Sequence, residues 1–192
     1  KTINQDCIIE FELITEGRGR ATTEFSYTFK KGDGSPIASI NVYVFTSANV
    51  YTGISGSTDT SGAKTFSLND GTYKFRADYM GNQFWSSEVT VPDATSLNQV
   101  IAHYTATVSV QKLYNQATTP MTGINAYLFT SGGSYMGRSG TSDANGYVTF
   151  SVPERAYKVR LDYLGYQFWS SEFTILQDQT IEVDIEHQDV NI

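Results

Sequence analysis

Cysteine is nearly absent from this 192-residue sequence: Cys7 stands alone. A single thiol forms no disulfide within the chain and supports no Cys-based metal site. Near a terminus it reads as a small apolar strand residue. Histidine is as scarce, with only His103 and His187, so the usual acid–base and metal-ligand chemistry has little to work with. There is no His-x-x-x-His pair and no Gly-rich phosphate loop. Catalysis needs a nucleophile, a base and an orienting group brought together, and no such constellation is visible, so the chain is read as non-enzymatic with no cofactor. Long apolar runs are missing too. None approaches the roughly 20 residues of a membrane-spanning helix, and no membrane insertion is expected. Positive charge is in deficit, at 13 Lys and Arg against 20 Asp and Glu, a net charge of −7. Such a chain has no electrostatic footprint for nucleic acid and is repelled by anionic membranes. The chain begins at Lys1, which reads as a processed or truncated product.

Aromatic residues are plentiful, at 14%, dominated by 13 Tyr and 11 Phe, while Pro is rare at four. That mixture favours strands and tight turns. Two stretches then repeat. INVYVFTS at 40–47 returns as INAYLFTS at 124–131, and GNQFWSSEVT at 81–90 returns as GYQFWSSEFT at 165–174. A constant offset relates 23–103 to 107–187 at about 40% identity without a gap, so the chain reads as two tandem copies of one unit. The expected organisation is an N-terminal strand and linker over 1–22, a first unit over 23–105 and a second over 106–192.

Within each copy the period is two. Tyr73, Phe75, Ala77 and Tyr79 alternate with Lys74, Arg76 and Asp78, and the second copy repeats the pattern from Tyr157 to Tyr163. This is a strand with one buried and one wet face. Ile40, Val42 and Val44 alternate with Asn41, Tyr43 and Phe45, which reads as a central strand. With Gly, Asp and Asn turns between short strands and no helical period, the fold class is all-β. Two tandem seven-stranded Ig-like or prealbumin-like β-sandwiches are expected, with an extra N-terminal strand.

The order of features carries a resemblance: a Pro-containing loop, the INVYVFT strand, a Thr/Ser-Asp-x-x-Gly turn, GTYKFRADYMG, and a closing alternating strand. Its residues are Asp59, Gly62, Gly71, Thr72, Tyr73 and Gly81, then Asp143, Gly146, Tyr157 and Gly165. The second copy departs in having Arg155-Ala156 where Gly-Thr is favoured. This order resembles the carboxypeptidase regulatory-like domain, within the wider set of prealbumin-like and Cna-B-like bacterial sandwiches. The resemblance implies a non-catalytic module of an extracellular or cell-surface protein, often arranged in tandem. It also brings to notice the covalent Lys–Asn or Lys–Asp crosslink of Cna-B-like relatives. That chemistry needs a buried lysine, whereas Lys74 and Lys158 alternate with core aromatics and face outward.

Other polar features read as structure. Asp59 and Asp143 each supply one carboxylate to a turn, too few for Ca²⁺, so no metal site is assigned. Lys74, Arg76 and Asp78, with Glu88 on the next strand, make an exposed ion ladder, repeated by Lys158, Arg160, Asp162 and Glu172.

Two functions are left open. The first is a structural module of a surface protein or filament, whose partners are other copies or neighbouring domains. Its interaction strand would be Cys7, Ile8, Ile9, Phe11 and Leu13, which either joins the first unit or is donated to another subunit by strand addition. The second is a carbohydrate-binding module, with a glycan as partner, using the exposed aromatics Tyr43, Phe45, Phe84, Tyr135 and Phe168; Tyr51 is of the same kind. Unbroken alternation through QFWSSEFTI sends Trp85 and Trp169 inward and leaves Phe84 and Phe168 outside.

Overall fold

The computed structural model describes residues 22–188, so the interaction strand expected at Cys7–Leu13 lies outside the described residues. The fold is all-β, with no helix among those residues. The first half runs β1 (Thr22–Lys30), β2 (Asn41–Thr46), β3 (Tyr51–Ser57), β4 (Ala63–Asn69), β5 (Gly71–Tyr79), β6 (Asn82–Trp85), β7 (Val89–Val91) and β8 (Ser96–Val100). The second runs β9 (His103–Tyr114), β10 (Ala117–Pro120), β11 (Asn125–Thr130), β12 (Tyr135–Thr141), β13 (Tyr147–Pro153), β14 (Arg155–Tyr163), β15 (Tyr166–Trp169), β16 (Phe173–Ile175) and β17 (Gln179–Glu186). The halves thus hold eight and nine strands rather than seven. The last long edge is split into β6 and β7, or β15 and β16, and the second half adds β10.

In the first half, β4-β1-β8 forms one sheet and β3-β2-β5-β6 the other, with β7 also on β5. The closing strand β8 runs parallel to β1. Between the sheets lies a core of Phe25, Tyr27, Phe29, Val42, Val44, Phe66, Phe75 and Ala77, all nearly or fully buried. The second half places β13 and parallel β17 beside β9, and faces them with β12-β11-β14-β15. Its core includes Val108, Val110, Leu128, Phe150, Tyr157 and Leu161. Alternating inward residues of two facing sheets produce each core, as period-two patterning requires.

The copies are not gapless. Phe25 pairs with Phe66 and Ala106 with Phe150, so the opening strands correspond three residues closer together than everything after Pro36 and Pro120. The missing three residues sit in the loop that follows. KKGDGS in the first copy becomes the β9–β10 hairpin in the second, turned by Asn115 and Gln116 at positive φ. Aromatic Phe25, Tyr27 and Phe29 therefore give way to Ala106, Val108 and Val110. Tyr157 helps to refill the volume: it is fully buried, with its hydroxyl donating to the Pro153 carbonyl at 2.8 Å. Burial pushes that phenol's pKa up.

Almost nothing separates the halves. Ile101 is buried in the first core, while His103 already pairs with Pro153 in the second half's ladder, ahead of the boundary expected at Thr105–Ala106.

Candidate functional site

Two regions gather side chains that the cores do not explain. The first is the outer face of each five-stranded sheet. Tyr43, Arg76 and Trp85 lie in one row across β2, β5 and β6. Phe45 pairs with Tyr51 because the β2–β3 register shifts at a bulge, where Gly53 takes φ +83°. The Arg76 guanidinium lies 4.7 Å from the Tyr43 ring, 5.5 Å from Phe45 and 6.0 Å from Trp85. Phe45 packs on Trp85 at 4.9 Å and on Tyr51 at 5.5 Å. Arg76 also holds Asp78 with two contacts, Nε to Oδ1 at 2.9 Å and Nη2 to Oδ2 at 3.0 Å. One of the two contacts, Nη2 to Oδ2, is a hydrogen bond; Nε and Oδ1 meet only as an ion pair, and the rings cover both ions.

The second half rebuilds the cluster. Arg160 lies 4.7 Å from Tyr127 and 5.4 Å from Phe129, and its Nε is 2.9 Å from Asp162. Trp169 packs on Phe129 at 4.8 Å, and Tyr135 packs on the same ring at 5.4 Å. Beside Trp169 is a cleft of about 320 Å³ lined by Ser131, Gly132, Gly133, Lys158, Trp169 and Ser170. In the first half Lys74 instead bridges Glu88 at 3.4 Å and Asn49 at 3.3 Å.

The aromatics expected outside are redistributed. Trp85 and Trp169 are 43% and 44% exposed, whereas Phe84 and Phe168 pack against the cores. The expectation fails because the strand is broken at Ser86–Glu88 and at Ser170–Glu172. Trp85 sits opposite Arg76, but when pairing resumes at Val89 opposite Tyr73 the register has moved by one residue. Ser86 manages the break: its amide donates to the Phe75 carbonyl and its Oγ accepts from the Phe75 amide, both at 2.9 Å. Ser170 does the same for Val159. A one-residue slip exchanges the faces. Phe45 is also nearly buried, beneath Tyr51 and Trp85; Tyr43 is partly exposed, and Tyr51 and Tyr135 are 46% and 50% exposed. Pairing of the exposed tryptophan with an arginine on the polar face of β5 was the signal that could have placed it.

The second region is the junction between halves. The Arg155 Nη1 donates to the Met80 carbonyl at 3.0 Å, and Met80 packs against the second core. Gly81 has φ +73°, and a Cβ there would lie 2.1 Å from that guanidinium. The Tyr79 hydroxyl lies 3.0 Å from His103 Nε2, and His103 Nδ1 lies 2.8 Å from the Ile101 carbonyl. With the Nδ1 proton donated to that carbonyl, the phenol donates to Nε2. The positive charge of Arg138 lies near the same phenol. A cleft of about 340 Å³, lined in part by Lys31, Tyr79, Arg138 and Ser151, opens beside these groups. Burial holds the His103 pKa down; the hydrogen bond to the Ile101 carbonyl and the nearby Asp33 oppose it, while Lys31 and Arg138 lower it further. The folded pKa thus lies below the unfolded value of about 6.5. The associated stability is fully present above that pH and is lost as pH falls toward the folded pKa. Thermal midpoints should fall between pH 7.5 and 5.5 and stay flatter in His103→Asn; equal slopes would overturn this.

No three His, Cys, Asp or Glu side chains come together as a metal site among the described residues. Nor is any described helix long and apolar enough to cross a membrane. Asp59 and Asp143 act in their turns. Each Oδ1 accepts two backbone amides, from Ser61 and Ala63 or from Asn145 and Tyr147.

No protein-family model matches the chain, and no curated protein sequence is significantly similar. Among solved structures, the minor pilin GBS52 of Streptococcus agalactiae is similar over 88% of this chain and 97% of its own, with 16% identity and a TM-score of 0.47. The shaft pilin SpaA of Lactobacillus rhamnosus GG is similar over 89% of this chain and 100% of its own, with 12% identity and a TM-score of 0.40. The TIE protein of Bacillus anthracis is similar over 88% of this chain but only 34% of its own, with 14% identity and a TM-score of 0.43. The chain therefore spans about a third of that protein's length. At these values the likeness carries nothing about activity.

Proposed function

We propose that the chain is a non-catalytic structural module of an extracellular surface assembly. In this reading it has two tandem prealbumin-like units, divided near Ala102. The observation that carries this is the junction. Ala102 alone stands between Ile101 in one core and His103 in the other ladder, and Met80 and Arg155 lock the two ends. Units joined by a flexible linker move independently by default; a joint this short, with packing across it, transmits force and sets a fixed geometry. That is the property a shaft or stalk needs. The pilin likenesses agree with this reading without carrying it.

Residues 5–14 are proposed to complete the assembly by strand addition, on the strength of their β-prone alternation of Ile9, Phe11 and Leu13 with Glu10 and Glu12. X-ray scattering with in-line light scattering tests both parts. The full chain should scatter as one rigid two-lobed particle that oligomerises with concentration, and a chain lacking residues 1–16 should keep the shape and remain monomeric. Independently moving lobes would sink the structural reading. Unchanged association after the deletion would sink strand addition alone.

A further inference from the structure

We propose that the arginine-centred aromatic face of each half is a binding platform for neutral saccharides. This goes beyond a structural role and rests on three observations that do not depend on the junction.

The first is a contrast between two surfaces of the same molecule. The copies share about 40% of their residues. On the aromatic face, Asn41, Tyr43, Phe45, Tyr51, Lys74, Arg76, Asp78, Gln83, Trp85 and Glu88 all recur unchanged, at Asn125 through Glu172. On the outer face of the other sheet, Glu24 becomes Thr105, Ala63 becomes Tyr147, Asn98 becomes Glu182 and Val100 becomes Asp184. Both are solvent-facing sides of one kind of sandwich. A general demand for solubility would let both drift. Thr65 and Ser67 do recur there as Thr149 and Ser151, so the contrast lies in the ionic and aromatic side chains, which the first face keeps and the second does not.

The second observation is what the held face offers. Each half turns an indole, 43% or 44% exposed, and a phenol, 46% or 50% exposed, toward solvent around a common Phe. Flat rings with polar tips accept the apolar face of a sugar ring. Beside Trp169, Lys158, Ser131 and Ser170 border a cleft of about 320 Å³. That combination of apolar wall and few hydrogen-bonding groups marks a small-ligand site, and its size suits a monosaccharide unit.

The third is charge. The chain carries a net charge of −7, yet each platform is balanced: Arg76 faces Asp78 and Lys74 faces Glu88, with Arg160 and Asp162 forked in the same way. A platform of two cations and two anions, with Lys158 and Glu172 completing the second, has no net charge to draw an anionic ligand. It matches a neutral polyhydroxyl one.

The chain's two tryptophans are the two platform indoles, so tryptophan emission, excited at wavelengths where tyrosine does not absorb, reads this surface. The protein is screened on an array of neutral and acidic glycans, then titrated with a neutral hit, or with chitohexaose and cellohexaose if the array is blank. A saturable emission change with Kd on the order of 0.1–1 mM is expected. In calorimetric titration, which needs no indole as reporter, Trp169→Ala should weaken the second platform roughly tenfold, and Trp85→Ala with Trp169→Ala should abolish binding on the array. Trp169→Phe, which keeps a ring against Phe129, should retain part of it, and Tyr147→Ala on the drifted face should change nothing. Thermal midpoints of every variant separate lost binding from lost folding. No saturable response up to about 10 mM, hits confined to acidic glycans, or binding that survives the double variant would each overturn the proposal.

Discussion

Phe75→Ala is expected to destabilise the first half by about 3–5 kcal/mol while leaving the second half's unfolding nearly unchanged. Phe75 is fully buried. Its ring stacks on Phe25 at 4.9 Å with 11° between planes, meets Tyr27 edge-on at 5.2 Å and lies 5.9 Å from Phe66. These neighbours sit on β1 and β4 of the facing sheet, held by that sheet's own ladder, and cannot all close over the space a ring leaves. The second half has Val159 at the corresponding place, within a separate core to which the first half contributes only Met80. Calorimetry should therefore resolve two transitions in the variant, one lowered and one close to its original midpoint. A single transition shifted as a whole would mean that the junction couples the halves more strongly than its few contacts suggest.

Gly62→Ala should cost about 2–4 kcal/mol, well above the roughly 1 kcal/mol expected of Gly34→Ala. Both glycines have positive φ, +77° and +85°. They differ in surroundings. A Cβ on Gly62 would lie 2.4 Å from the Phe29 carbonyl oxygen and 3.0 Å from the Ile37 amide, whereas one on Gly34 meets nothing within 4 Å. The atoms in the way at Gly62 are backbone. They belong to the hydrogen bonds from Phe29 to the Gly62 carbonyl and from Ile37 to the Phe29 carbonyl, at 2.8 and 3.0 Å. Relief requires moving the end of β1 away from the turn. Gly146 repeats the arrangement, 2.7 Å from the Val110 carbonyl, so Gly146→Ala should behave alike. Urea denaturation of the set checks this; equal losses at Gly62 and Gly34 would show that conformational strain alone matters.

Both turns were visible in the sequence as Asp-x-x-Gly, because the chemistry is local. A carboxylate bonds the amides two and four residues on, and only glycine takes the left-handed backbone without strain. The long alternating strands were legible for a similar reason. Lys74, Arg76 and Asp78 cannot be buried, so Tyr73, Phe75 and Ala77 define the inner face. The cross-strand pair of Lys74 with Glu88 followed from that geometry. The opening strands were less legible. An identity match aligned them three residues out of place, because TTEFSYTF and HYTATVSV share alternation but few residues, and alternation alone does not set register.

The aromatic stretch around Trp85 and Trp169 divides what the sequence determined by itself from what tertiary structure decided. The sequence determined that the chain is all-β, that its motifs recur and that one outer surface recurs unchanged. These are properties of periodicity and of residue identity at fixed offsets. It did not determine which side of the sheet a tryptophan takes. That depended on three residues, Ser86–Glu88, leaving the ladder and rejoining it one position later, with the Ser86 hydroxyl holding the Phe75 amide in the gap. A one-residue slip leaves composition and local propensity untouched, yet exchanges core for solvent along everything that follows. It is settled by hydrogen-bond closure against a residue 11 positions away, Phe75 with Ser86. The same is true of the junction, where Ala102 looks like any other residue until the cores on either side of it have formed.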